Sequence, residues 1–578
     1  MEAQKDFSWT FLQILRNLMT NPRSLQAGII IFAGLFLADL LFRSFFKTFS
    51  DFLEGGDTEV LWAEIDVGFA PILWLVFITL ILGSLTIVIS FAAEKVPKLI
   101  DLYMDHWPSL FFVWFTIALY VHALTIKLMA EMQMDVRPSL ILNYNILLPL
   151  FMIIGFPFIL SILYSTKTGK VIEQLFGSIQ QVYLKLASIG PTGDLHPKKR
   201  LKWQIHLFET TNQLIDLLVY VPYKEPKAQI IEGLGDLLIE YLKWKKDFPV
   251  SFFEVTEDIR EDISFKTLKG QFEDIEKDRV FYELKNFRVI GNAFISFIEV
   301  GEFDLSTLCV DQVQRIGVQA VELKHDKMMD LVLIHLNTHL RFALKHGRFN
   351  NEPRNLYNLI FHYGKFVQSL IEHRDLPRVK TSYGHYLFYG QAIFEALLDA
   401  PSLAFILDTL ATEMKKGLIK MYELHWDREH YFEQLKQFLL LDNLQNIDRG
   451  FAFIFFSKNH GIRLLHIGMA LFFLENNEEE WARLIAKDTM QDYDLLGKET
   501  FHKTMNTIYA RLQFSGPTFW EDTDRGNVNI YYTPHQNQIN VFREIQNEYV
   551  GMQPKPCLLY TSDAADEGLG VDLGGRRI

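Results

Sequence analysis

Four runs within the first 166 residues are too long and too apolar for the surface of a water-soluble protein. The clearest, Val67 to Ala93, holds 27 residues without Asp, Glu, Lys or Arg. A helix needs about 20 mostly apolar residues to cross the hydrocarbon of a bilayer. The runs 27–46, 67–93, 107–126 and 139–166 meet that length and predict about four transmembrane helices. A buried core helix of a soluble protein is the competing reading. It fails because such helices rarely run this long without a polar face.

Hydrocarbon tolerates polar groups poorly, so those inside the runs are candidates for function. Asp39 lies in the first run, one turn before Arg43, with which it can pair and reach the interface. His122 lies late in the third run. Asn143 and Asn145 open the fourth, where amides bond across helices or sit at the interface. Pro149 and Pro157 each remove a donor from that helix and are candidate kinks.

Residues 1–26 read as a cytoplasmic amphipathic helix lying along the membrane, with Phe7, Trp9, Phe11, Leu12, Ile14, Leu15 and Leu18 as its apolar side. Asp6, Arg16, Asn21, Pro22 and Arg23 argue against a cleaved signal peptide. Lys5, Arg16, Arg23, Lys95, Lys98, Lys167 and Lys170 mark the sides that stay inside. The first connector is acidic, with Asp51, Glu54, Asp57, Glu59, Glu64 and Asp66. This bias, with an even number of crossings, predicts a multi-pass membrane protein with both termini cytoplasmic; the bacterial inner membrane is what the family resemblance given below implies.

Beyond residue 166 charges become dense and the period turns helical. Leu305, Leu308, Cys309, Val313, Ile316, Ala320 and Leu323 form one stripe at steps of three and four. Residues 167–515 therefore read as a multi-helix cytoplasmic domain, and 516–556 as a partly irregular continuation. No fixed repeat period is evident, which leaves a solenoid as the alternative to a simple bundle. Asn527 to Tyr532 is the best strand candidate. Asn477 and Glu480 resemble a capping box. The fold class expected is all-α, a four-helix transmembrane region followed by a helical cytoplasmic domain.

Chemical motifs are few. The net charge of −13 excludes a global basic footprint for nucleic acid. Cys309 and Cys557 are too few for a disulfide framework. No Walker A loop or GxGxxG occurs. His335 and His339 share a helix face and His346 follows, yet no Glu completes HExxH. His425, Glu429 and His430 resemble an inverted zincin motif with one residue too many. Lys415 and Lys416 look like partners of a helix C-terminal dipole. Neither a catalytic residue, a metal ligand nor a cofactor is assigned.

The segment Phe91-Ala-Ala-Glu-Lys-Val-Pro97-Lys98-Leu99-Ile100, followed by a run ending Tyr120-Val-His122, resembles the bacterial membrane proteins of the domain of unknown function 2254 family. Pro97, Lys98, Leu99 and Tyr120 carry the resemblance. The family's Asn-Asp-Pro segment has no counterpart here, and the resemblance implies topology rather than an activity. Residues 557–578 (CLLYTSDAADEGLGVDLGGRRI) resemble an in-frame translation of a sequencing-library adapter. On that reading the gene comes from metagenomic assembly, and the native sequence departs near Pro556.

These readings favour a non-enzymatic membrane protein, homo-oligomeric in the lipid bilayer, whose helical domain senses or scaffolds a cytoplasmic protein partner. One alternative is an oligomeric channel or transporter lined by Asp39, His122 or Asn143. The other is a membrane-bound hydrolase.

Overall fold

A computed structural model describes residues 22–53, 67–95, 107–165, 167–268, 270–443, 448–518 and 527–550. Most of the amphipathic segment, the acidic connector, Lys98, the Pro97–Leu99 motif, Cys557 and the adapter-like tail lie outside the described residues. All regular structure among the described residues is helical. Two compact units emerge: Met1–Ile179 with Glu209–Gln229, and Gln180–Phe208 with Ile230–Ile578.

The first unit is built on the apolar runs. Helix α1 spans Pro22–Leu53, α2 Phe69–Lys95 and α3 Trp107–Glu131. Then α4 (Arg137–Ile141) passes through a π-helical turn, Leu142–Leu147, into α5 (Leu148–Ser165). Among the described residues, three stretches are long and apolar enough to cross a membrane: Leu25–Phe46, Phe111–Glu131 and Arg137–Gly155. The expectation of four is therefore reduced to three among the described residues, and an odd number of crossings no longer puts both termini on one side. The apolar stretch of the second helix that can be counted, Phe69–Ile81, falls short of the required length.

Helix α3 packs against both α1 and α2. Trp74, Phe112, Ala118, Leu119, Ala123 and Phe151 form the interior, with Ala118 and Leu119 wholly buried. Gly28 lets α1 approach α3 closely, since a Cβ there would lie 2.8 Å from the Trp114 ring. Small residues serve this purpose between apolar helices. The opposite faces leave Ile29, Ile30, Leu40, Leu41, Leu80 and Ile153 exposed.

The second unit is built from helix pairs. Helices α6 (Thr168–Ile189), α7 (Pro197–Tyr220) and α8 (Lys224–Trp244) each contribute to both units. A knot of rings, Tyr183, Tyr241, Phe248, Phe252, Phe281 and Tyr282, fills the start of the second. After α9 (Glu257–Arg260) come α10 (Phe272–Asp278) and α11 (Phe281–Glu299), then α12 (Phe303–Glu322) and α13 (Asp326–Asn350). Next are α14 (Arg354–Glu372), α15 (Leu376–Ala396), α16 (Ala404–Glu423) and α17 (Arg428–Leu439). The chain continues with α18 (Arg449–Lys458), α19 (Gly461–Glu475), α20 (Glu479–Asp488), α21 (Met490–Leu496), α22 (Lys498–Phe514) and α23 (Ile539–Val550).

One junction recurs. Arg279, Lys324, Arg374, His425 and Asn477 all have left-handed φ between two helices. Each N–H reaches back three residues to a carbonyl, and the next N–H reaches back five, as in His325 to Ala320 and Asp375 to Leu370. This double bond closes a helix C-terminus as a Schellman motif. Asn477 is thus a helix stop. The expected capping box is absent: Glu478 precedes α20 and makes no side-chain cap bond.

The pairs stack in register. Helix α12 packs on α14, α14 on α16 and α16 on α19, while α11 packs on α13, α13 on α15 and α15 on α17. Side chains 48 to 52 residues apart join successive pairs: Arg378 to Asp330 (2.9 Å), Asn358 to Thr307 (3.0 Å) and Tyr389 to Asn337 (2.9 Å). The stripe on α12 is the buried face, with Leu305, Cys309, Val313, Ile316 and Ala320 all inside.

The strand expected at Asn527–Tyr532 does not form. A single bridge joins Thr518 to Val528. Asn529 turns the chain locally: its amide donates to the Gly516 carbonyl, and its Oδ1 accepts from the Tyr531 N–H. Such Asx bonding satisfies the backbone without a neighbouring strand.

Stacking depends on close approach at glycine. A Cβ on Gly317 would meet the Phe366 ring at 2.7 Å and Val332 at 2.9 Å, whereas Gly384 faces open space. Gly317→Ala is expected to destabilise the protein by about 1–3 kcal/mol through overpacking. Gly384→Ala should be neutral or stabilising by up to about 1 kcal/mol, the helix-propensity gain. Thermal melts of the two variants check the contrast.

Candidate functional site

Three of the four polar residues singled out from the apolar runs converge. Trp74 on α2 fixes the orientation of the whole set. Its indole N–H can only donate, and it gives a 2.7 Å bond to Asn143 Oδ1. The Asn143 amide nitrogen therefore points the other way, donating to His122 Nδ1 at 3.0 Å and to the Leu119 carbonyl at 3.3 Å. Because Nδ1 accepts, the imidazole proton sits on Nε2, which faces Asp39 Oδ1 at 3.6 Å. That separation is an electrostatic contact, too long for a hydrogen bond.

The other carboxylate oxygen is fully engaged. Asp39 Oδ2 accepts from the Ser139 hydroxyl at 2.8 Å and lies 3.2 Å from Arg43 Nε. Arg43 in turn donates to Ser139 Oγ at 2.7 Å. The Asp39–Arg43 pair read from the sequence exists. It is turned inward and tied to α3 and α4, so it is more than a snorkelling pair. An ionised side chain at mid-bilayer costs about 2.5–3.5 kcal/mol on insertion scales. Shared bonding among residues on α1, α2, α3, α4 and the π turn offsets that cost.

Both asparagines lie in the π turn, Leu142–Leu147. Leu148 N–H bonds back to the Asn143 carbonyl, five residues earlier, and Pro149, which has no N–H, follows immediately. Two residues along a helix is more than half a turn. Asn143 therefore faces inward, wholly buried, and Asn145 faces outward and is exposed. Pro157 lies inside α5. Ser139 and Trp74 had not been singled out. An apolar run containing one donor-only Trp near polar positions of other runs was the available signal.

The histidine pairs of the second unit make no metal site among the described residues. His335 stacks on Phe287 at 4.7 Å and His339 packs against Phe294 at 4.2 Å between centroids. Neither ring nitrogen of His339 has a hydrogen-bond partner. Burial holds His335 down at about 4 and His339 at about 3. His430 Nδ1 lies 3.3 Å from Asp427, the residue that caps α17, and both are solvent-facing. Lys415 and Lys416 do not end a helix, because α16 continues to Glu423. Lys416 pairs with Glu413 at 2.9 Å. Lys415 is buried, which lowers it to about 8.

A charged cluster that the sequence reading did not find lies where α17, α19, α20 and α21 meet. Arg463 is 5% exposed and contacts three carboxylates: Asp442 at 2.9 Å, Asp488 at 2.6 Å and Asp492 at 2.8 Å. Burial and mutual repulsion raise Asp442 to about 7 and Asp492 to about 6, against the pull of Arg463. His466, one turn from Arg463, is wholly buried and held down at about 3.

Two outcomes follow. Asp39→Asn and Arg43→Gln should each lower stability in detergent, by about 0.6–1.7 kcal/mol if the pair behaves like other intramembrane bonds. The double variant should lose less than the two singles combined, as a double-mutant cycle reads directly. Separately, His339 stays neutral in the fold while an unfolded chain protonates it below about 6.5, so the folded state loses stability as pH falls from about 6.5 toward about 3. His339→Leu should flatten the acid limb of a Tm-against-pH curve and raise Tm at neutral pH.

No protein-family model, curated protein or solved structure matches the chain.

Proposed function

We propose that the chain is a multi-pass membrane protein whose membrane region anchors a stacked-hairpin, solenoid-like domain that scaffolds or senses cytoplasmic proteins, without an enzymatic step of its own. The observation that carries this reading is the recurrence of paired helices at a spacing of about 50 residues, closed by the same left-handed junction. Stacked helix pairs of this kind offer extended surfaces for protein recognition.

The membrane region supports an anchor better than a pore. Its polar residues bond to one another within a single chain, leaving apolar side chains such as Ile30, Leu41 and Ile153 outward. A channel needs polar groups free to face water. Asn145 is the single member of the sequence-chosen set that faces out.

The test pairs topology with flux. Protease added to inverted vesicles should cleave residues beyond 170, while right-side-out vesicles should protect them. Purified protein in liposomes should pass no ions. An ion flux that Asp39→Ala abolishes would replace the anchor with a channel, and cleavage only in right-side-out vesicles would overturn the cytoplasmic placement.

A further inference from the structure

The end of α7 is apolar on both of its sides. Leu214, Leu217, Leu218 and Val221 face inward and are buried. The other side, where a helix in water carries charge, holds Val219 and Tyr220, which are 72% and 52% exposed. The Val221 N–H still reaches back to the Leu217 carbonyl at 3.0 Å, and Pro222, which has no N–H, stops the helix there. Tyr223, 68% exposed, completes the turn before α8 starts at Lys224. Farther along α8 the exposed positions turn acidic, with Glu232 and Asp236. The bare apolar surface is therefore confined to the turn.

That turn points toward the exit of the last apolar helix. A Cβ on Gly169 of α6 would meet Gln229 Oε1 of α8 at 3.5 Å. Farther on, Gln180 donates to Glu240 at 2.8 Å, and the Tyr183 and Tyr241 rings lie 5.5 Å apart. Position advances together along both helices, so α6 and α8 run parallel. Lys224 precedes Gln229 by about 7.5 Å of helix, measured back toward the start of α6. Gly169 follows Ser165, the end of α5, by a stretch that spans at most about 14 Å. The apolar sequence of α5 itself continues to Leu163 and Tyr164. The turn is thus held within reach of the headgroup layer, which adds about 5–8 Å beyond the hydrocarbon on each side. Glu209–Gln229, which contains the turn, groups with the apolar helices in the first unit.

We propose that the α7–α8 turn, residues 219–223, docks into the headgroup region of the bilayer face at which α5 ends. The proposal rests on the membrane placement of the first unit and adds a second lipid contact to that of the apolar helices. Tyrosine suits this depth, because its ring is apolar and its hydroxyl stays hydrated. Just past the tip Lys224 and Lys227 outnumber Glu225, the sign of charge that anionic headgroups attract. A lipid surface accounts for the apolar patch beside the end of α5 and for the acidic positions farther along α8. A second copy of the chain fits less well. A stable protein interface takes about 800 Å² from each partner, more than three side chains at a turn supply.

The full-length protein with Cys557→Ser would carry the fluorophore NBD at Val219→Cys or Tyr223→Cys, in vesicles of phosphatidylcholine and phosphatidylserine. Cys309 is buried and stays unlabelled. Phe349→Cys, at a position 89% exposed in the second unit, is the water reference, and Ile153→Cys is the lipid reference. The expected result is that headgroup-level nitroxide lipids quench both turn labels several-fold more than the Phe349 label, and that aqueous iodide quenches them several-fold less. Iodide quenching of the turn labels equal to that at Phe349, with the Ile153 label quenched by acyl-chain nitroxides, would overturn the docking and leave the membrane placement standing. Protection of the turn from both quenchers would mean that protein covers it, and would overturn the docking as well. Iodide access at Ile153 would remove the membrane placement itself, and the proposal with it.

Discussion

Hydrocarbon offers no hydrogen bonds, and on the proposed membrane placement that constraint organises the first unit of this protein. An apolar helix can carry Asp39, Arg43, His122 or Asn143 only if other helices supply their partners. The five positions Trp74, Asn143, His122, Asp39 and Ser139 form a chain in which each donor finds an acceptor or a facing charge. The direction of that chain is set at one end by an indole that can only donate. Helix packing then follows from the network as much as from the apolar interior, because Ser139 and Asn143 place α4 and the π turn against α1 and α3.

The second unit answers a different constraint. Its helices bury one stripe each, and pairs closed by a left-handed residue stack to do so. The junction residues Arg279, Lys324, Arg374, His425 and Asn477 are not glycine, while Gly301 makes the same turn between α11 and α12. Non-glycine residues pay a conformational cost at positive φ, so the two backbone bonds of each junction must hold them there. Buried charge is concentrated near the last pair, around Arg463, where four helices bring together residues spread over the interval from Asp442 to Asp492.

This contrast explains what could be read from the chain. The apolar runs and the stripe from Leu305 to Ala320 were legible because burial follows composition and period. The pairing of Asp39 with Arg43 was legible because both lie on one helix, a turn apart. The shared helix junction was hidden: it resides in backbone geometry carried mostly by Lys, Arg, His and Asn, while attention to breaks favours Gly and Pro. Asn143 and Asn145 looked equivalent, but two residues apart they point to opposite faces and packing buries only Asn143. The Arg463 cluster joins four separate elements, and no local pattern announces a contact made only by tertiary packing.

The central claim is an inside-out membrane unit, with polar groups enclosed and aliphatic side chains facing lipid. Spin labels at Ile30, Leu41 and Ile153 in reconstituted bilayers measure it most directly. The account predicts frequent collisions with dissolved oxygen and few with a water-soluble nickel chelate at all three positions. Ready access of the chelate to those labels, with protection from oxygen, would contradict it.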